Sequence, residues 1–266
     1  MDFNKQINTG EKSVSVIMLT YNRGNYILDS INSVLSQKYQ NLELIVIDDG
    51  SSDNTAEIIK SINDNRLKYL QYKSNKGIAY RRARSLNNLR GDFVAIIDSD
   101  DIWVDKNKLQ KQVNFLTANP DYSLIGSQVR LIDSDGDTLG YKKFALDDQK
   151  IRRKILFRNQ FAHSSVLFRE ETLRNIGGYN SLSFAEDLDL YLRLGMVSKF
   201  SNLSFCTTSY RVHSSSETSK KLDMVSSVIK IIDNFKGYYP NFFVAKIKYK
   251  IIFFALLLFN KINENI

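Results

Sequence analysis

The chain has 266 residues and a formal net charge of +8, and its apolar residues are spread along the whole length. This length is enough for one large α/β domain with a short appendage and excludes two independent enzymes. The single cysteine, Cys206, excludes an intramolecular disulfide, and we expect it to be a small buried thiol in a reducing compartment such as the cytoplasm. The positive charge favours anionic partners, which include nucleic acid, a membrane surface and phosphorylated metabolites.

Residues 1–12 are polar and are expected to form a flexible N-terminus. They contain no apolar signal core, and no run in the sequence reaches the length of about 18 to 20 apolar residues that spans a bilayer. We therefore expect a protein that is neither secreted nor integral to a membrane.

Residues 13–101 alternate short β-rich runs with longer amphipathic runs. This alternation is typical of the α/β class, in which a mainly parallel sheet is flanked by helices. The pattern predicts strands at Val14–Leu19, Leu42–Ile47, Leu67–Tyr72 and Phe93–Ile97, separated by helices at Tyr26–Leu35, Thr55–Ile62 and Ile78–Leu89.

After Asp101 the pattern is less regular. Ser134–Asp137 is typical of a hairpin turn, and the pair Gly177-Gly178 interrupts the periodic pattern. The periodicity predicts helices at Asp105–Ala118, Glu171–Ile176 and Glu186–Leu194, and strands at Ser123–Ile132 and Ser165–Phe168.

Residues 219–266 predict a C-terminal helical extension, in which lysines precede the apolar run Ile251–Phe259. This run is too short to span a bilayer but suits an interfacial helix. Two interpretations stay open. The helix associates with a membrane surface, or it packs on the domain or on the second subunit of a homodimer.

Polar clusters follow three of the predicted strands, at residues 20–22, 48–51 and 98–101. In an open α/β sheet, ligands bind outside the carboxyl ends of the strands, so these clusters should converge on one pocket. Asp53, close behind the second cluster, is expected to be a turn or helix-capping residue.

The third cluster crowds Asp98, Asp100 and Asp101 together, and their carboxylates would repel one another unless a cation lay among them. Hard oxygen ligands of this kind suit Mg²⁺ or Mn²⁺. A metal that carboxylates hold incompletely shares its coordination shell with substrate phosphates. The pocket is therefore predicted to hold a nucleotide diphosphate.

Six stretches carry a family resemblance: VSVIMLTYNR at Val14–Arg23, LIVIDDGSSDNT at Leu44–Thr55, NKGIAYRRA at Asn75–Ala83, GDFVAIIDSDD at Gly91–Asp101, GGYN followed by AEDLDLYLRL at Gly177–Leu194, and YRVHSSSET at Tyr210–Thr218. Together they resemble the large GT-A family of inverting glycosyltransferases, called family 2. The resemblance covers residues 13–218 in order, and it is specific for the family but not for the sugar. It implies a GT-A fold with a nucleotide-sugar-binding half at residues 13–101 and an acceptor-binding half, which carries the catalytic base, at residues 102–218.

The resemblance also implies roles for residues on the donor side. Asp49 would hydrogen-bond the base, Asp98 would lie near the ribose, and Arg211 would reach toward the diphosphate. Asp100 and His213 would bind the Mn²⁺ or Mg²⁺ ion. The family commonly has Asn where this chain has Ala83. The full set implied to bind the nucleotide sugar is Thr20, Tyr21, Asn22, Asp49, Arg82, Asp98 and Arg211.

On the acceptor side, inverting transfer needs a base that deprotonates the acceptor hydroxyl. The resemblance assigns this role to Asp187, although Glu186 and Asp187 together also suit the positive end of a helix dipole. Glu186, His163 and Trp103 are implied to shape the acceptor pocket. For His163 a core position with satisfied hydrogen bonds stays an alternative, and for Trp103 a core aromatic does.

The predicted function is transfer of a single sugar from a nucleotide diphosphate sugar, expected to be a UDP-sugar, to a hydroxyl of a glycan or lipid-linked saccharide. Inversion and a role in surface polysaccharide biosynthesis are expected. The sequence lacks the QxxRW motif of processive synthases and the glycine-rich loop of sugar nucleotidyltransferases. The alternative is a noncatalytic scaffold subunit at a membrane. Nucleic acid is not expected as a partner, because the basic residues are scattered.

Overall fold

The computed structural model of the protein describes residues 10–86, 89–180, 184–212 and 221–263. In the first half, β2 and β4 pair in parallel with the two sides of β1, and β3 pairs in parallel with β2. The elements are β1 (Val14–Thr20), α1 (Ile27–Leu35), β2 (Leu42–Asp48), α2 (Thr55–Ser61), β3 (Leu67–Gln71), α3 (Ile78–Ser85) and β4 (Phe93–Asp98).

These elements confirm the prediction for the first half, where each strand ends within a residue of its predicted bounds. Strands buried on both faces form nearly continuous apolar runs, which makes them easy to recognise. Helix α3 ends at Ser85, before the predicted end at Leu89.

The second half extends the same sheet with both strand directions. Within the described residues, nine strands form one sheet in the order β3-β2-β1-β4-β8-β6-β9-β5, and β7 pairs with β6. Strand β8 is antiparallel to β4 and β6, whereas β6 and β9 are parallel. The elements are β5 (Ile102–Trp103), α4 (Lys108–Ala118), β6 (Tyr122–Ile132), β7 (Thr138–Lys142), α5 (Asp148–Ile155), β8 (Leu167–Arg169), α6 (Glu170–Asn175), α7 (Glu186–Val197) and β9 (Lys199–Arg211).

Several of these elements differ from the sequence prediction. Strand β9 and helix α5 were not predicted, because β9 is rich in Ser and Thr and α5 has few apolar residues. The predicted strand Ser165–Phe168 is divided into a short 3₁₀ helix at His163–Ser165 and the strand β8. Cys206 is partly exposed on β9, which corrects the expectation of a buried thiol.

The hairpin between β6 and β7 confirms the predicted turn. The Asp133 carboxylate accepts hydrogen bonds from the backbone N–H groups of Asp135 and Asp137, at 3.0 and 2.8 Å. Gly136 has a φ of 94°, which a residue without a side chain adopts at little cost.

Two apolar layers cover the sheet. On one face, β1 residues such as Val16 pack with α1, α2 and α4. On the other face, alternate residues such as Ile17 pack with α5 and α7. The carboxyl ends of β1, β2 and β4 lie together at one edge of the sheet, which is where ligands bind in open α/β sheets.

Two further helices, α8 (Lys221–Asp233) and α9 (Phe242–Asn263), follow the sheet. The Tyr239 hydroxyl between them donates a hydrogen bond to the Leu192 carbonyl of α7 at 2.7 Å. A side chain on Gly195 of α7 would overlap the Tyr239 hydroxyl and the Phe200 ring, so this close approach requires glycine. No helix in the described ranges is long and apolar enough to cross a bilayer.

Candidate active site

The three polar clusters lie side by side at the carboxyl edge of the parallel strands. In the sheet register, Thr20 pairs with Asp48, and Leu19 pairs with Asp98. The predicted convergence of the clusters at one edge is therefore observed.

The acidic turn, residues 98–101, is tied to its surroundings by hydrogen bonds. The Asp98 backbone N–H donates to the Ser164 hydroxyl at 3.0 Å, and the Asp101 N–H donates to the Asp98 carbonyl at 3.1 Å. Arg23 Nε donates to Asp100 Oδ2 at 3.2 Å. The turn thus has a fixed backbone, and an arginine from the β1–α1 loop lies at its outer carboxylate.

Asp101 is the most buried carboxylate of the turn. Its Oδ1 accepts a hydrogen bond from the Arg211 backbone N–H at 2.8 Å, while its Oδ2 is buried without a partner in the described part of the chain. Burial, followed by the charges of Asp98 and Asp100, raises the pKa of Asp101 well above its usual value. A buried oxygen of this kind requires a proton, a cation or a strong donor.

Arg82 joins the acidic turn to the beginning of α7. Its buried guanidinium donates to Asp98 Oδ1 at 2.9 Å and to Glu186 Oε1 at 2.5 Å. Burial alone would lower the pKa of Arg82, but the two carboxylates raise it above its ordinary value, so the side chain stays charged. For Asp98, burial raises the pKa, and the Arg82 charge opposes this. We call this Asp98–Arg82–Glu186 contact the arginine bridge.

Asp187 follows the arginine bridge in the first turn of α7. Its Oδ2 accepts a hydrogen bond from the Asn159 amide at 2.7 Å, and its Oδ1 accepts one from the Leu188 N–H at 2.7 Å. Burial and the neighbouring Glu186 charge raise the pKa of Asp187 to about 6. A carboxylate with this pKa is able to accept a proton near neutral pH.

Asp49 organises the loop that leads into α3. Its carboxylate accepts hydrogen bonds from the backbone N–H groups of Lys76 and Gly77 and from the Arg81 guanidinium. The Arg81 guanidinium lies 3.6 Å from the centre of the Tyr72 ring. Asp49 is thus a buried ion-pair partner, and its predicted contact with a base stays a prediction.

The end of β1 forms a tight turn beside this loop. Asn22 has a φ of 51°, and its side-chain oxygen accepts a hydrogen bond from the Ser52 N–H at 2.8 Å. The Tyr21 side chain is exposed, whereas the Thr20 hydroxyl is buried without a partner in the described residues. The Asp53 carboxylate accepts a hydrogen bond from the Thr55 N–H at 3.0 Å in the turn that precedes α2, which agrees with the expected turn role.

Arg211 lies behind the acidic turn. Its guanidinium donates to the carbonyl oxygens of Asp100, Asp133 and Ser134 at 2.7 to 2.9 Å. The side chain is buried and stacks 4.6 Å from the Tyr26 ring. These contacts hold the guanidinium behind the acidic turn, and its predicted contact with a diphosphate stays a prediction.

Trp103 is a core residue. Its indole N–H donates to the Ser164 carbonyl at 2.7 Å, and the buried Lys108 ammonium lies 3.9 Å from the ring centre. The ring is therefore not available as a platform for a sugar, and the core alternative describes it better.

His163 is likewise buried. Its Nδ1 lies 2.6 Å from the Tyr191 hydroxyl, and its Nε2 lies 3.0 Å from the Tyr179 hydroxyl. Burial, followed by the Arg82 charge, lowers the pKa of His163 well below its usual value. With both ring nitrogens occupied, His163 has no free polar atom for a direct acceptor contact, which corresponds to the core alternative.

Sequence reasoning missed two residues of the site. Asn159 contacts Asp187 directly, and Tyr210 lies where the charges of Asp101, Asp98, Asp100 and Asp187 add to burial in raising its pKa. Tyr210 lies next to Arg211 in a matched stretch, so its position in the sequence could have identified it as a site residue. Asn159 is in an irregular segment, and no feature of the sequence there pointed to the site.

No group of three His, Cys, Asp or Glu side chains among the described residues is arranged to hold a metal by itself. His213, the other predicted metal ligand, lies outside the described residues. Asp100 and the unpartnered oxygen of Asp101 supply hard donors, which fit a divalent cation that takes its remaining ligands from a diphosphate.

Comparisons with known proteins define the class. The fold resembles a mannosyltransferase from Pyrobaculum calidifontis, PcManGT, solved with GDP-Man and Mn²⁺: TM-score 0.67, 19% identity, 91% of this chain and 70% of that chain. It also resembles S. aureus TarS solved with UDP-GlcNAc: TM-score 0.69, 21% identity, 92% of this chain and 71% of that chain. The mixed sheet with flanking helices is thus a GT-A glycosyltransferase fold.

The family follows from the sequence. The model of glycosyl transferase family 2 matches residues 15–178. The Escherichia coli enzyme WfgD, a UDP-Glc:alpha-D-GlcNAc-diphosphoundecaprenol beta-1,3-glucosyltransferase, is 34% identical over 227 residues, covering 84% of this chain and 86% of WfgD. The chain therefore belongs to glycosyl transferase family 2.

Proposed function

We propose that the protein transfers a single sugar from a UDP-sugar to a hydroxyl of a lipid-linked saccharide or glycan, with inversion, during surface polysaccharide assembly. The arginine bridge carries this proposal, because it joins the acidic turn to the helix that begins with Asp187. A donor-binding cluster and a candidate base are thereby held in one rigid unit.

On the donor side, the loop around Asp49 and the turn at Asn22 would receive the nucleotide. The buried Asp49–Arg81 ion pair lies beside Tyr72, so the side chains that would line the nucleotide pocket are already held in position next to an aromatic ring. UDP is favoured over GDP because WfgD, by name, uses UDP-Glc and matches across most of both chains.

A divalent metal, Mn²⁺ or Mg²⁺, would be held by Asp100 with help from Asp101. When bound, it supplies charge that stabilises the departing diphosphate. The buried, unpartnered Asp101 Oδ2 supports this proposal, because such an oxygen is costly without a cation or proton. His213 remains the proposed protein ligand outside the described residues.

Asp187 would be the base that deprotonates the acceptor hydroxyl. The residue is half-buried, and its pKa of about 6 leaves the carboxylate ionised but basic at neutral pH. The Asn159 amide holds one oxygen, which fixes the direction of the other.

The acceptor is proposed to be a saccharide on a lipid diphosphate, because the name of WfgD specifies a diphosphoundecaprenol-linked sugar. We accordingly place the enzyme on the inner face of the cytoplasmic membrane. A noncatalytic scaffold would need none of the proton-accepting geometry at Asp187.

The test is a donor screen with purified protein, Mn²⁺ and a lipid-linked GlcNAc-diphosphate acceptor. Acceptor-dependent release of UDP from one UDP-sugar, lost with a chelator and restored by Mn²⁺, is expected. Asp100→Ala should remove this release, while Asp135→Ala on the exposed hairpin should leave it unchanged. Release that persists in Asp100→Ala would contradict the metal assignment, and a product with retained anomeric configuration would contradict inversion.

A further inference from the structure

The outer face of α9 is apolar along most of its length. Its residues are well exposed, at 58 to 66% each, although soluble proteins seldom expose a continuous apolar surface of this length. We call this set the α9 outer face: Phe243, Val244, Ile247, Ile251, Phe254, Leu258 and Phe259.

These residues form one continuous stripe. At about 100° per residue, all but Phe259 fall within an arc of about 100° around the helix. From Phe243 to Leu258 the stripe is about 22 Å long, at 1.5 Å rise per residue. The opposite side of the helix is anchored to the protein, where Ala245 and Phe242 are buried in the same core as α7.

Lysines flank the stripe on both sides. At the same 100° per residue, Lys248 lies beside one edge and Lys250 and Lys246 lie beside the other. On the second edge, Lys236 and Lys250 line a cavity of about 420 Å³ together with Phe243 and Ile247. Lys246 also lines this cavity, where it forms an ion pair with Asp233 at 2.6 Å. Amphiphilic ligands with an anionic head and apolar tails match this combination.

The positive charge of this segment indicates what kind of partner covers the α9 outer face. Residues 219–266 contain eight lysines and three acidic residues, within a chain of net charge +8. A second copy of α9 packed on the stripe would bring lysine-lined edges of like sign together, which opposes association. An anionic bilayer instead offers both apolar depth and negative phosphates.

We propose that the α9 outer face docks on the surface of an anionic phospholipid bilayer, with the apolar stripe at the boundary of headgroups and acyl chains. Lys236 and Lys250 then contact lipid phosphates at the cavity, while Lys246 stays paired with Asp233. This surface lies outside the candidate active site, and vesicle binding requires no sugar transfer. Failure of either proposal therefore leaves the other intact.

The experiment is flotation of the full chain with vesicles made of equal parts phosphatidylglycerol and phosphatidylcholine, compared with phosphatidylcholine alone. The wild-type chain should float with the anionic vesicles and much less with the neutral ones. The variant Ile251→Glu with Phe254→Glu should lose about tenfold or more of the binding. A matched control, Leu139→Glu with Tyr141→Glu, changes comparably exposed apolar residues on β7 and should bind like wild type.

The lysines are tested separately with Lys236→Gln and Lys250→Gln, each expected to weaken binding to anionic vesicles by about fivefold. Circular dichroism and thermal unfolding confirm that each variant is folded. Equal binding to neutral and anionic vesicles would overturn the proposed preference for an anionic bilayer. If Ile251→Glu with Phe254→Glu binds vesicles like wild type, the α9 outer face is not the docking face. The proposal is also overturned if the wild-type chain does not bind vesicles but forms a dimer in light scattering that this variant converts to a monomer.

Discussion

The donor end and the α7 end of the candidate site hold their carboxylates in different ways. Asp49, at the donor end, is bound by the Arg81 guanidinium and by two backbone N–H groups. Asp187, at the other end, accepts hydrogen bonds from the Asn159 amide and its own helix, and no described Lys or Arg side chain forms an ion pair with it. One carboxylate is built to hold a loop, and the other is able to exchange a proton.

The largest effect is expected from Asp187→Asn, which keeps the shape but removes the proton acceptor. Sugar transfer should fall by about 10²- to 10⁴-fold, while the affinity for UDP-sugar stays the same. Steady-state kinetics and calorimetric titration with the donor measure the two quantities. Asp135→Asn, an exposed carboxylate on the hairpin, is the matched control. Near-normal sugar transfer by Asp187→Asn would show that Asp187 is not the base, and the proposed difference between Asp49 and Asp187 would not hold.

The next effect is on stability, at the arginine bridge between the two ends. Arg82→Met leaves Asp98 and Glu186 facing each other without a cation, so the free energy of unfolding should fall by about 3 kcal/mol or more. Urea denaturation measures this change. As a control, Arg174→Met breaks an exposed ion pair with Glu170 and should cost less than about 0.5 kcal/mol. Equal costs for the two variants would show that the bridge is not structural.

The smallest effect concerns the pH dependence of transfer. Because the pKa of Asp187 is raised to about 6, the base is protonated below that pH, and kcat/KM should fall about tenfold per pH unit there and level off above it. Asn159→Ala removes a donor that favours the ionised carboxylate, so the midpoint should move upward by about half a unit.

Asn114→Ala on the exposed side of α4 is the control for this shift and should leave the midpoint in place. A midpoint that does not move in Asn159→Ala would mean that Asn159 supports only the fold. A profile without any acidic limb in the wild type would exclude Asp187 as the titrating base.

The same division between the two halves describes what the sequence could predict. Strands such as β1 and β4 are buried on both faces, so their apolar runs identify them without knowledge of their neighbours. Strand β9 gains its stability from pairing with β6, a partner distant in sequence, and its Ser and Thr residues carry no period. Local pattern therefore located the first half well and missed this strand.

Site residues show the same limit. Motif position located the acidic turn and Asp187, but not their contacts with Ser164 and Asn159, which lie outside the matched stretches. It did not reveal that Trp103 and His163 are enclosed by Ser164 and by two tyrosines, because those contacts depend on tertiary packing. For α9, both alternatives stayed open, since the sequence does not specify which side of the helix packs on α7.

The Tyr239–Leu192 hydrogen bond has a consequence for substrate choice. It joins the α8–α9 pair to α7, the helix that also presents Asp187, so the proposed bilayer contact and the proposed base lie on helices that are in direct contact. In a docked chain, the height of the base above the lipid would be fixed by the fold. Acceptors would then be discriminated by how many sugars separate the lipid from the reacting hydroxyl, which a series of acceptors of graded length would reveal or refute.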